Sequence, residues 1–174
     1  PKAQYFEPRN LAGQTLGLYG FGGSARPLYR ILHFGFGTRV IAFDPYISEE
    51  AKKEYEVEFV DFAALLAQSD ILSIHAPLTP DTEKVFNREA FRAMKQDAMI
   101  VNISRGGLID EPALIEALQQ GEIRFAGLDV FEKEPLPQNS PLLSLENVAL
   151  TCHSAFYGDT AQETQLHLAY ELVR

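Results

Sequence analysis

The chain's most informative chemistry begins at a glycine turn. Gly20-Phe21-Gly22-Gly23-Ser24-Ala25 fits the pattern G-x-G-x-x-G/A, and Asp44 follows about 20 residues later, the spacing of a dinucleotide fingerprint. Gly20 permits a sharp turn, Gly22 lets a diphosphate approach the backbone, and Ala25 is small enough for a helix to lie against a strand. That helix offers unpaired N–H groups and the positive end of its dipole to phosphate. Asp44 can accept both hydroxyls of an adenine ribose and repels a phosphate there. Pro45, Tyr46 and Ile47 follow it, with no Arg or Lys, so NAD is expected over NADP. The competing reading is a glycine-rich turn that holds no ligand. Four further polar residues stand out: Arg105, Asp129, Glu134 and His153. Each alone has an ordinary structural or surface reading.

These residues need a scaffold, and the hydrophobic pattern predicts one. Leu16–Tyr19 is a short apolar run of the kind buried on both faces of a sheet. Leu28, Ile31 and Leu32 follow at helical spacing, Gly35 is expected to stop that helix, and Arg39–Phe43 resumes a strand. Ser48 is placed as the cap of a short helix, and Val57–Val60 as a strand. Asp61 caps a helix presenting Phe62, Leu65 and Leu66. Further strands are expected at Asp70–Ile74, Ala98–Ile103, Ile123–Val130 and Val148–Thr151. Asn87 and Asp110 cap the helices between them, and Gly121 lies just past the end of the second. Asp159 is expected to cap a last helix carrying Leu166, Ala169 and Val173. Strands alternating with helices predict an α/β doubly wound parallel sheet of Rossmann type, in the order 3-2-1-4-5-6 with a seventh strand at one edge. Ligands of such sheets sit beyond the carboxyl ends of the strands. Arg105, Asp129, Glu134 and His153 all fall there.

Composition narrows the partners. The 174 residues suit one domain, and 46% apolar residues suffice for a core. A net charge of −9 argues against nucleic acid and anionic membranes. An anionic cofactor must then be held by local donors. Cys152 is the one cysteine, which rules out an internal disulfide and fits a reducing compartment. No apolar run approaches membrane-spanning length, so the cytoplasm is the expected location.

Five stretches carry a resemblance: the glycine turn with Asp44, SDILSIHAPLTPDT (69–82), MIVNISRGGLIDEPALIEAL (99–118), AGLDVFEKEPLP (126–137) and NVALTCHSAFY (147–157). The chain resembles the cofactor domain of the D-2-hydroxyacid dehydrogenase family, and is similar to that family's corepressor relatives, the C-terminal-binding proteins. The resemblance implies NAD as cofactor, no metal, and a 2-hydroxy or 2-oxo acid as the small-molecule substrate. Arg105 matches the arginine that binds the substrate carboxylate and carbonyl. His153 matches the catalytic histidine, and Glu134 the acid that pairs with it. Asp129 matches the residue that holds the nicotinamide carboxamide. His75, Pro77 and Thr82 border the adenosine and phosphates, and Ser104 joins Gly20, Gly22, Gly23, Ser24, Ala25 and Asp44 among the cofactor contacts. In such a set, hydride transfer leaves growing negative charge on a carbonyl oxygen. A His paired with a carboxylate can protonate that oxygen near neutral pH, and Arg supplies a permanent charge beside it.

Some positions depart from the family pattern. Gly23 stands where an arginine commonly lies by the pyrophosphate, with Arg26 or the Ser24 hydroxyl as substitutes. Cys152 replaces a proline and reads as a small apolar filler. Ser154-Ala155-Phe156-Tyr157 alters the run after His153. The resemblance further implies that residues 1–14 are an interdomain linker and 159–174 a return helix. The substrate domain then lies outside this chain, which binds NAD but turns over poorly by itself. It implies a homodimer formed through this domain. The alternative from another class is an NAD-responsive dimerising module without turnover.

Overall fold

The computed structural model describes residues 9–158; the expected linker start and return helix lie outside them. Seven parallel strands form one sheet: β1 (Thr15–Tyr19), β2 (Arg39–Phe43), β3 (Glu58–Phe59), β4 (Ile71–Ile74), β5 (Met99–Asn102), β6 (Phe125–Leu128) and β7 (Val148–Leu150). Their spatial order is β3-β2-β1-β4-β5-β6-β7, as the alternation of patterns predicts. Leu16 pairs with Val40 on one side and Ile71 on the other. The order of strands reverses between β1 and β4, which opens a crevice at their carboxyl ends.

Five α-helices connect the strands: α1 (Ala25–Phe36), α2 (Glu49–Lys52), α3 (Phe62–Gln68), α4 (Arg88–Ala93) and α5 (Glu111–Gln120). The caps are local. Ser48, Asp61, Asn87 and Asp110 each accept the N–H of the residue three positions on, which satisfies a donor that the helix leaves unpaired. Strands β3, β4, β5, β6 and β7 are each shorter than expected at one end or both. One helix boundary is corrected as well. Gly35 does not stop α1, which runs to Phe36. Gly37 closes it at φ +66°, with its N–H on His33 O and the Thr38 N–H on Leu32 O. That paired closure requires a left-handed residue at 37, and glycine takes it without steric cost.

Side-chain alternation along β1 separates two apolar layers. Leu16 and Leu18 pack with Phe21, Ala25, Tyr29, Val40 and Ala42 on the α1 face. Tyr19 joins Ile41, Leu72, Ile74, Phe86, Phe91 and Ile100 on the face covered by α3, α4 and α5. Gly17 lies so close to α3's end that a Cβ there would meet Ser69 Oγ at 1.9 Å. Ile31 is 60% exposed and does not join the core.

Candidate active site

At the carboxyl edge the parallel ladder continues into the loops. Phe43 O accepts the Gly20 N–H (2.8 Å), Tyr19 O that of His75 (2.8 Å), Asn102 O that of Asp129 (3.0 Å), and Asp129 O that of His153 (2.7 Å). These bonds set the glycine turn, His75, Asp129 and His153 along one rim of the sheet.

The turn is built around two side chains. Gly20 has φ +90°, and a Cβ there would lie 3.0 Å from the Ala76 nitrogen. Phe21, only 1% exposed, points into edge-on contacts with Tyr29, Tyr55 and Phe59. It anchors the turn to the core, while Gly22 and Gly23 face open space: a Cβ on either meets nothing within 4 Å. Ala25 is fully buried where α1 lies against the sheet. Arg26 Nε donates to Phe21 O at 3.1 Å, and its guanidinium lies 5.4 Å from the Tyr55 ring. Asp44 Oδ2 accepts the Phe21 N–H and Oδ1 the Tyr46 N–H, both at 2.9 Å. Each oxygen keeps a lone pair for another donor. Open room over the turn, a helix N-terminus behind it and a tethered carboxylate beside it fit the phosphates and ribose of a dinucleotide.

The loop after β4 is held by its own side chains. His75 lies between two hydroxyls, 2.9 Å from Ser24 Oγ at Nδ1 and 2.9 Å from Ser73 Oγ at Nε2. Burial pushes its pKa down to about 4, so the ring is neutral at physiological pH. The Thr82 hydroxyl donates to Pro77 O at 2.8 Å and accepts the Thr79 N–H at 2.8 Å, which folds the 77–82 loop on itself. Ser104 Oγ donates to Ala76 O at 2.5 Å and ties this loop to the one after β5.

Asn102, fully buried, shapes the Arg105 loop: its Nδ2 donates to Arg105 O (2.9 Å) and its Oδ1 accepts the Ser104 N–H (3.0 Å). Gly106 then abuts the Glu134 loop. A Cβ on it would fall 1.9 Å from the Phe131 carbonyl, so the two loops meet at a position where no side chain fits. The Arg105 side chain donates to Ser104 O at 2.7 Å. Among the described residues it bonds neither Glu134 nor His153, although the loops bearing all three follow adjacent strands.

Glu134 and His153 do meet. Glu134 Oε2 lies 2.7 Å from His153 Nδ1, and Glu134 Oε1 accepts the Phe131 N–H at 3.1 Å. The imidazole bond, then the Phe131 N–H, hold the Glu134 carboxyl below its ordinary range against a smaller effect of burial. His153 itself has φ +52°, a left-handed conformation uncommon for a side-chain-bearing residue and one that collects at functional sites. Asp129 imposes it. Its carboxylate accepts the Thr151 hydroxyl, the Ser154 N–H (2.8 Å) and the Ala155 N–H (2.9 Å). Burial alone would raise Asp129, but these bonds leave it below its ordinary value. Phe156 meets the His153 ring edge-on at 6.1 Å. Beside the pair lies a cavity of about 630 Å³, walled by Phe131, Leu136, Leu143, Leu150 and Cys152. Phe21, Ser73, Asn102 and Thr151 are the contributors that motif spacing does not single out. Among the described residues no group of three His, Cys, Asp or Glu could hold a metal, and no helix is long and apolar enough to cross a membrane.

A doubly wound sheet with an open glycine turn at its switch point and a tethered acid after β2 defines a dinucleotide-binding domain. Residues 2–155 match the family profile described as D-isomer specific 2-hydroxyacid dehydrogenase, NAD binding domain. The chain belongs to that family, and its cofactor is NAD. It is 43% identical over 157 residues to a glyoxylate reductase of Korarchaeum cryptofilum, covering 90% of this chain and 46% of the relative. A D-3-phosphoglycerate dehydrogenase of Methanocaldococcus jannaschii is 42% identical over 170 residues, covering 97% of this chain and 32% of the relative. Among solved structures, D-lactate dehydrogenase with NAD+ from Lactobacillus jensenii superposes with a TM-score of 0.85 at 30% identity, over 98% of this chain and 56% of that one. The chain thus spans half or less of the length of these two curated relatives.

Proposed function

We propose that this domain, in the complete protein, serves hydride transfer between NAD(H) and a 2-hydroxy or 2-oxo acid. The observation that carries the reading is the Glu134–His153 pair, 2.7 Å apart on a backbone held at φ +52°. NADH supplies the hydride when bound. His153, its Nδ1 on Glu134, has Nε2 left to give a proton to the carbonyl oxygen, and in reverse it takes the hydroxyl proton. Glu134 stabilises the imidazolium that donates. Arg105 offers a planar fork to the substrate carboxylate and a fixed positive charge near the developing oxyanion.

Cofactor contacts are assigned to the turn from Gly20 to Ala25, with Asp44 on the adenine ribose. His75, Pro77, Thr82 and Ser104 border the adenosine and phosphates. Asp129, besides holding the His153 loop, has a lone pair on Oδ2 for the nicotinamide carboxamide. The substrate domain lies outside this chain, which by itself binds NAD with little turnover. The domain also pairs with a second copy, a reading supported by the exposed Ile31, Phe34 and Phe36 on α1.

The test is spectrophotometric. The complete protein is mixed with NADH and a panel of glyoxylate, hydroxypyruvate, pyruvate and bulkier oxo acids. Loss of reduced-cofactor absorbance with at least one acid is expected. NADH binding without turnover on any of them would replace this reading with that of a cofactor-responsive binding module.

A further inference from the structure

We infer that His75 is a positioning residue that turns the Ser24 hydroxyl outward as a hydrogen-bond donor to a dinucleotide phosphate. The inference rests on the NAD site above and adds to it the direction of one proton chain, Ser73 to His75 to Ser24.

The direction follows from Ser73. This residue is 3% exposed on β4, and among the described residues the one hydrogen-bond partner of its Oγ is His75 Nε2. A buried hydroxyl hydrogen with no acceptor is costly. The Ser73 O–H therefore donates to Nε2, which leaves that nitrogen bare and places the ring proton on Nδ1. Nδ1–H then donates to Ser24 Oγ at 2.9 Å. With its oxygen accepting from the ring, Ser24 has its own hydrogen to give elsewhere. The opposite tautomer would strand the Ser73 hydrogen and draw the Ser24 hydrogen inward, turning a lone pair toward any anion over the turn. A charged imidazole would also strand the Ser73 hydrogen, and burial of the ring keeps it neutral.

Ser24 is placed for the task. It precedes α1 at the position where Ser48, Asp61, Asn87 and Asp110 each accept an N–H of their own helix, yet it makes no such bond. Its hydroxyl is committed to His75 instead. Gly22 and Gly23 beside it have no side chain to offer, and the space above them is open.

The test has an arm that needs no cofactor. A long-range proton–nitrogen correlation spectrum of the ¹⁵N-labelled protein reads the His75 tautomer. The Nδ1–H form is expected, and the Nε2–H form overturns the inference. In calorimetric titration with NAD, Ser24→Ala should weaken binding by about tenfold or more, the loss of one hydrogen bond to a charged group. His75→Asn places an amide N–H where Nδ1–H stands, and should keep the affinity within about threefold. His75→Gln reaches Ser73 rather than Ser24 and should lose affinity as Ser24→Ala does. Equal effects of the two ring variants would reduce His75 to a filler and overturn the relay. If either ring variant fails to fold, the tautomer spectrum and the exposed Ser24→Ala substitution decide. NAD binding unchanged by Ser24→Ala overturns this inference alone. Failure of the unaltered protein to bind NAD overturns the site reading as well.

Discussion

His153 occupies a backbone conformation that costs free energy, and Asp129 offsets the cost with bonds to three of the residues around it. Glu134 then adds a charge whose sign matters. Its carboxyl lies below the ordinary range in the folded chain, so the unfolded chain takes up the proton first as pH falls. The stabilisation it provides is complete at neutral pH and disappears as the pH passes down through the folded value. Glu134→Gln should therefore lower stability at pH 7 and flatten its decline below about pH 5 in urea titrations. His75 also loses stability on acidification, for a different reason. Its partners are the Ser24 and Ser73 hydroxyls, no charged side chain contributes to its shift, and burial lowers it from 6.5 to about 4. The unfolded chain binds the proton across that interval, so stability falls as pH drops from 6.5 to about 4. His75→Asn should remove that part of the pH dependence, measured as the difference in urea midpoint between pH 7 and pH 5.

The elements position these side chains through close approaches that tolerate little change. Gly106→Ala forces a methyl into the Phe131 carbonyl. It should lower stability and, in the complete protein, cut turnover while leaving the helix content unchanged by circular dichroism. Thr38 offers the opposite case. It is 1% exposed, and among the described residues its Oγ1 has no hydrogen-bond partner. Thr38→Val removes a buried unsatisfied hydroxyl and should raise stability by about 1 kcal/mol in the same titrations. The caps were legible because a side chain and its own helix settle them within three residues. The end of α1 was not. Gly35 and Gly37 flank Phe36, and the choice between them depends on which can take φ > 0 while the Thr38 N–H reaches Leu32 O. The apolar runs at β5 and β6 extend past the strands, because such a run marks burial, whereas a strand ends where its neighbour stops pairing.

Across the molecule, strand order was readable from alternation, and the rim residues from their place after each strand. What joins them was less so. Ser24 and His75 are 51 residues apart in sequence, and they meet because β1 and β4 are neighbours at the switch point. The contact of Gly106 with Phe131 likewise needs β5 beside β6. Net charge is −9, so diphosphate recognition depends on local donors at the turn and not on the overall field. The proposed place of Asp44 on the adenine ribose predicts that Asp44→Ala narrows the preference for NAD over NADP in titrations of both. Sedimentation velocity tests the proposed pairing of two copies, with Phe34→Asp expected to shift the protein to the monomer. The most direct test of the catalytic proposal is made on His153→Ala in the complete protein, with kcat and NADH affinity measured side by side. The Glu134–His153 pair as acid and base requires kcat to fall about 10²–10⁴-fold with NADH binding almost unchanged. Loss of both in equal measure, or turnover that persists, would show that His153 holds the loop and does not move the proton.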